Sequence, residues 1–125
     1  SGGELSRLML AIKSIAAKNN YIPTLIFDEI DTGVSGRIAD AMGEIIRTLS
    51  ENMQVVAITH LPQVASKGES HFVVYKQDSR TNLTRLSDEE RVTEIAKMLS
   101  GSEISSAALS QARLLLGVEP KTTLF

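Results

Sequence analysis

Apolar residues first recur with helical spacing at Leu5, Leu8, Met9, Ile12, Ile15 and Ala16, a stripe that predicts an amphipathic helix ending near Lys18–Asn20. After Pro23 the pattern changes. In "TLIFDEID", Leu25, Ile26 and Phe27 form an unbroken apolar run closed by carboxylates. Such a run predicts a strand covered on both faces, as in a parallel sheet. "TGVSG" reads as a turn, and Ile38, Ala41, Met42, Ile45, Ile46 and Leu49 restore the helical period. "QVVAITH", Gln54–His60, repeats the strand signature. The order α-β-α-β predicts an α/β layered domain, a mainly parallel sheet flanked by helices.

The second half predicts a different arrangement. "HFVVYKQ" and "NLTRLSD" read as a late β-hairpin turning around Asp78–Thr81. In "DEERVTEIAKMLSG", Val92, Ile95, Ala96 and Leu99 are helically spaced, with acidic residues in the first turn and Gly101 as a stop. A last helix is expected over Ile104–Leu116, closed by Gly117, with 118–125 as a flexible tail. Residues 1–117 are therefore expected to form one lobe, which a chain of 125 residues is long enough to do around a real core.

Composition narrows the chemistry. There is no cysteine, so disulfides and thiolate metal sites are excluded and a cytoplasmic setting fits. The net charge of -2 offers no global attraction to nucleic acid or to an anionic membrane. No Lys/Arg-rich cluster or aromatic stacking platform stands out along the sequence, so DNA-contact residues are left unassigned. No apolar run approaches the ~18–20 residues of a membrane span.

Three features could carry chemistry. Asp28 and Glu29 close the first strand, and in open α/β sheets ligands bind at the carboxyl ends of strands. One carboxylate can hold a hydrated Mg²⁺ while its neighbour deprotonates a water; the bland alternative is a solvated acidic turn. His60 closes the second strand, where it could reach a phosphate oxygen or simply lie at the surface. The opening "SGGE" places Gly2 and Gly3 before a helix, where free N–H groups suit an anion, although such a pair is also an ordinary turn. His71, alone at a strand start, is expected to be structural.

In combination and in this order, these features resemble the C-terminal lobe of an ABC-type ATPase head. "SGGELSR" resembles the signature loop, "TLIFDEID" the Walker B strand, "DTGVSG" the D-loop and "ITHLPQVA" the switch-histidine segment. A signature of "SGGE" followed by Leu-Ser-Arg is similar to the SMC-like branch rather than to transporter ATPases. Within that branch, "FDEIDTGVSGRIAD", "ITHLPQVASKGESHFVVYK" and "RVTEIAKMLSG" are similar to the bacterial RecN family, over nearly the whole chain to about Gly117.

The resemblance implies an ATPase of DNA double-strand-break repair and recombination, cytoplasmic and nucleoid-associated. It implies ATP and Mg²⁺ as cofactors, with Asp28 holding the Mg²⁺ water shell, Glu29 as general base and His60 contacting the γ-phosphate. Asp31 would couple two sites, and Ser1, Gly2 and Gly3 would close on the nucleotide of a second head, giving an ATP-sandwiched homodimer that acts on DNA. Glu4 and Arg7 share the signature without a separate role.

No G-x-x-x-x-G-K-S/T occurs in the sequence, and no sustained heptad pattern. That loop supplies the backbone cradle and lysine for the phosphates. The expectation is a fragment that is inactive alone and self-associates through exposed sheet edges. The competing reading is a non-catalytic interaction module that docks onto a partner head.

Overall fold

The computed structural model describes residues 4, 7, 10, 11, 13–15, 18, 24–29, 33, 34, 36–101 and 103–118. They fall into two compact units divided after Lys67. The first contains β1 (Thr24–Asp28), α1 (Gly36–Leu49), β2 (Gln54–Ile58) and the single turn α2 (Pro62–Ala65). The described residues between 4 and 18 are helical. Strands β1 and β2 pair in parallel with Thr24 opposite Gln54 and Asp28 opposite Ile58, so β1-α1-β2 is the expected crossover unit.

The core of this unit gathers on one face of the two strands. Phe27 is fully buried, with Leu10, Ala39, Met42, Ile46, Leu49 and Val64 around it. Lys13 joins from the side, its Nζ 5.3 Å from the centre of the Phe27 ring, within cation–π range. The other face differs from the sequence expectation. Ile26, Val56 and Ile58 are 58%, 42% and 50% exposed, so the strands are covered on one side only among the described residues.

The stripe on α1 also sits differently. Ala39, Met42, Gly43, Ile46 and Leu49 are buried, whereas Ala41 and Ile45 face out. Ile38 is half-buried against the core, Ala41 and Ile45 are offset from the inward stripe, and glycine takes the inward place at position 43 because α2 packs close. A Cβ on Gly43 would lie 2.8 Å from the carbonyl oxygen of Gln63. Ile15, also part of an apolar stripe, is 60% exposed while Leu10 is buried. Lys67, just past α2, donates to Glu44 Oε1 at 2.6 Å and lies 3.5 Å from Asp40. The hydrogen bond to Lys67 lowers the Glu44 carboxyl pKa, and the same bond raises that of Lys67.

Gly43→Ala therefore sets two effects against each other. Alanine gains ~1 kcal/mol of helix propensity over glycine. Its methyl must push the Gln63 backbone aside, and overpacking of this kind costs about 1–3 kcal/mol. A net loss of about 1 kcal/mol is expected, read as a lower denaturant midpoint at unchanged slope. A raised midpoint would show that α2 can retreat freely.

The second unit begins with the antiparallel hairpin of β3 (Phe72–Gln77) and β4 (Arg80–Arg85), joined by Asp78 and Ser79. Both joining residues have positive φ, 52° and 63°, as a two-residue type I′ turn requires. Left-handed backbone costs a non-glycine residue roughly 1–2 kcal/mol. Asp78→Asn with Ser79→Gly should thus raise hydrogen-exchange protection of the hairpin amides, about fivefold for ~1 kcal/mol gained. Unchanged protection would mean that the turn carries no strain.

The hairpin ladder continues to His71, whose carbonyl accepts from the Leu86 N–H at 2.9 Å. His71 is half-buried, and burial, then the nearby Arg91 charge, hold its imidazole pKa below the usual value. Helix α3 (Asp88–Ser100) opens with a capping box, Ser87 and Glu90 each accepting from the other's backbone N–H. It buries Val92, Ile95 and Ala96, as its spacing predicts. Helix α4 (Ser106–Leu116) starts two residues later than expected because Ser105 caps it, its hydroxyl accepting from the Ala108 N–H at 3.0 Å. Gly117 closes it with a left-handed φ of 69°. The mixed fold, with parallel and antiparallel strands, a late hairpin and two final helices, is the one expected. No helix among the described residues is long and apolar enough to cross a membrane.

Candidate functional site

The site is built at the carboxyl ends of β1 and β2. Because the two strands are parallel and in register, Asp28 and Ile58 end at the same edge of the sheet. The ladder runs one step further: the Glu29 N–H donates to the Ile58 carbonyl at 3.0 Å. His60 follows two residues after that acceptor. Neighbouring strands lie ~4.8 Å apart, so the acidic pair and the histidine share one rim.

Glu29 itself leaves the extended region, with φ at +52°. Along a strand, successive side chains alternate between faces. A left-handed residue directly after Asp28 ends that alternation, so the two carboxylates are not confined to opposite faces of the sheet. Glutamate occupies this region at a cost of roughly 1–2 kcal/mol, strain of the kind that clusters at functional sites. Asp28, Glu29 and His60 are all exposed at the rim.

The histidine side of the rim is held locally. Thr59 Oγ1 accepts from the Leu61 N–H at 3.0 Å, tightening the turn around His60. Pro62 then starts α2 at its first position, where a missing N–H costs nothing. Gly43 and the Lys67–Glu44 pair fix α2 against α1. The sequence reading missed these supports; a glycine inside a strongly periodic helix was the signal available for the first of them.

Among the described residues, no group of three or more His, Cys, Asp or Glu side chains could cage a metal ion. Mg²⁺ keeps several waters and is held by one or two carboxylates together with substrate phosphates. Asp28 and Glu29 are hard oxygen donors open to solvent, and they fit that pattern. Ser1, Gly2, Gly3 and Asp31 lie outside the described residues.

Comparison with known proteins gives the family. No family model matches the chain. The DNA repair protein RecN of Haemophilus influenzae is 48% identical over 120 residues, 93% of this chain, and the chain spans 22% of that relative's length. A structure solved in work on ATP-driven dimerization and DNA-stimulated activation of SMC ATPases superposes with a TM-score of 0.71 at 21% identity. It covers 82% of this chain and 64% of its own. The Smc head domain with coiled coil and joint from Pyrococcus yayanosii gives a TM-score of 0.71 at 22% identity, over 80% of this chain and 19% of its own. The fold and the identity along nearly the whole length agree: the chain corresponds to a segment of the RecN proteins and has the fold of an SMC-type ATPase head.

Proposed function

We propose that this chain supplies the water-activating part of an ATPase that acts in DNA double-strand-break repair and recombination. The observation that carries the reading is the Glu29 N–H to Ile58 carbonyl bond, which brings the acidic end of β1 beside the His60 end of β2. Asp28 orients the water shell of Mg²⁺, whose charge offsets that of the phosphates. Glu29 accepts a proton from the attacking water. His60 donates to the γ-phosphate oxygens. Phosphoryl transfer asks mainly for positioning and charge stabilisation, and groups on two paired strand ends supply both.

Ser1, Gly2 and Gly3 close on the nucleotide of a second head, and Asp31 couples the two sites, in an ATP-sandwiched homodimer. The solved relative from work on ATP-driven dimerization of SMC ATPases supports this arrangement. Residues 1–117 serve as one lobe of the head, in a cytoplasmic protein. The phosphate-cradling loop lies elsewhere in the whole protein, so the chain alone is inactive. The uncovered Ile26, Val56 and Ile58 face supports self-association of the isolated chain.

Asp28→Asn in the full-length protein tests the metal assignment. Its hydrolysis should need a much higher Mg²⁺ concentration for half-saturation than the wild type. An identical Mg²⁺ dependence would remove Asp28 from the site.

A further inference from the structure

The hairpin β3–β4 holds three cations, Lys76, Arg80 and Arg85, against one carboxylate, Asp78, inside a chain whose net charge is -2. Along the sequence these residues are too dispersed to form a cluster. The antiparallel register draws them into one short ribbon, with Arg80 on the face opposite Lys76 and Arg85. Lys76 and Arg85 belong to one face of the ribbon, since their cross-strand partners are Thr81 and Phe72, while Arg80 lies beside the turn opposite Gln77. All three are exposed, and no ion pair joins any of them to a carboxylate among the described residues. Arg85 donates to the Ser70 hydroxyl at 3.1 Å, a neutral partner that leaves its charge uncompensated.

The surface between the cations is suited to more than charge. Gln77, Asp78, Arg80 and Asn82 line an open polar concavity at the tip. Around Lys76 and Arg85, the cross-strand pair Val74 and Leu83 is 65% exposed at each residue. A chain that is acidic overall, yet leaves an exposed ribbon cationic and without ion pairs among the described residues, presents that ribbon to a polyanion.

We propose that the β3–β4 hairpin is a contact site for duplex DNA. This rests on the DNA-repair reading above and adds the surface that the reading lacks. Two strands ~4.8 Å apart, with their side chains, make a ribbon that the ~12 Å major groove admits. Lys76 and Arg85 lie four residues apart in register, about 13 Å along the strand. Duplex DNA presents one charge per ~1.7 Å of axis, so phosphates are available to both at once. Val74 and Leu83, on the face that carries Lys76 and Arg85, offer apolar ground to sugar and thymine methyl groups, while Arg80, Gln77 and Asn82 on the other face reach phosphate oxygens at the groove wall. An acidic protein would satisfy the charge alone and would leave the polar tip without a matching partner.

The test measures binding of the full-length protein to a fluorescent duplex by anisotropy, without nucleotide, across a salt series. Lys76→Gln, Arg80→Gln and Arg85→Gln are made singly and together. Each cation that meets a phosphate contributes a slope of ~0.9 in log affinity against log salt. The triple variant should bind about tenfold more weakly or worse at low salt and lose about 2–3 units of slope. Its thermal midpoint and DNA-free ATP hydrolysis should remain those of the wild type, since none of the three side chains is among those assigned to the chemistry. An unchanged affinity and slope in the triple variant would overturn the proposal, as would loss of binding to an acidic protein with DNA binding intact. Failure of the ATPase reading is seen separately, as hydrolysis that survives in a Glu29→Gln variant.

Discussion

Full-length protein carrying Glu29→Gln should bind ATP almost as the wild type does and hydrolyse it about 10²–10⁴-fold more slowly. The amide keeps the size and reach of the carboxylate and removes only its capacity to take a proton from water. Binding depends on the phosphate cradle and the metal, which the substitution leaves in place. Folding stability should also stay unchanged, because glutamine meets the same backbone penalty at φ +52° as glutamate. Glu29→Gly gives the contrast. Glycine removes the left-handed penalty of roughly 1–2 kcal/mol, partly offset by ~0.5–1 kcal/mol of extra entropy in the unfolded chain. That variant should be slightly more stable and just as inactive. Hydrolysis at wild-type rate in Glu29→Gln would refute the base assignment, and equal stability of the two variants would refute the strain.

Phe27→Ala should have the largest effect on stability, about 3–5 kcal/mol, read from denaturant unfolding. The ring is fully buried at the centre of the cluster that joins β1 to α1, with Lys13 over its face. Removing it takes away transfer energy and leaves a cavity that two paired strands cannot collapse around. Against a total of ~5–15 kcal/mol, a loss of this size depletes the folded state at physiological temperature. The variant should therefore be temperature-sensitive and regain hydrolysis on cooling, whereas Glu29→Gln stays inactive at every temperature. A Phe27→Ala midpoint within 1 kcal/mol of wild type would mean that the core lies elsewhere.

The two substitutions sit two residues apart, one inside β1 and one just past its end, and fail by different physics, and this bears on what could be read in advance. The order of elements was legible because each has a strong local signal: the apolar run at Leu25–Phe27, the period across α1, the acidic first turn of α3 and Gly101 at its end. The edge carrying Asp28, Glu29 and His60 could be singled out as a candidate because ligands bind at strand ends in parallel sheets, and the register places the ends of β1 and β2 together. Which side of a helix faces inward was not. Ala41 and Ile45 belong to a good apolar stripe, yet Ala39 and Gly43 are buried, because the decision was made by the close approach of Gln63 from another element. The left-handed backbone of Glu29 was equally hidden, since nothing in a glutamate advertises positive φ. Coverage of the strands also escaped the apolar pattern: Ile26 and Val56 look like core residues and stand exposed. The cations of the hairpin, dispersed along ten residues, came together in one ribbon only through antiparallel pairing.

All of this turns on whether one triphosphate is met jointly by the two strand ends that the 3.0 Å backbone bond holds side by side. The most direct measurement is a high-resolution structure of the full-length Glu29→Gln protein trapped with Mg-ATP. The predicted result is a water within hydrogen-bond reach of the residue 29 side chain, ~2.6–3.2 Å, lined up on a γ-phosphate that His60 also touches. A γ-phosphate bound away from that edge, with residues 29 and 60 both facing open solvent, would contradict it.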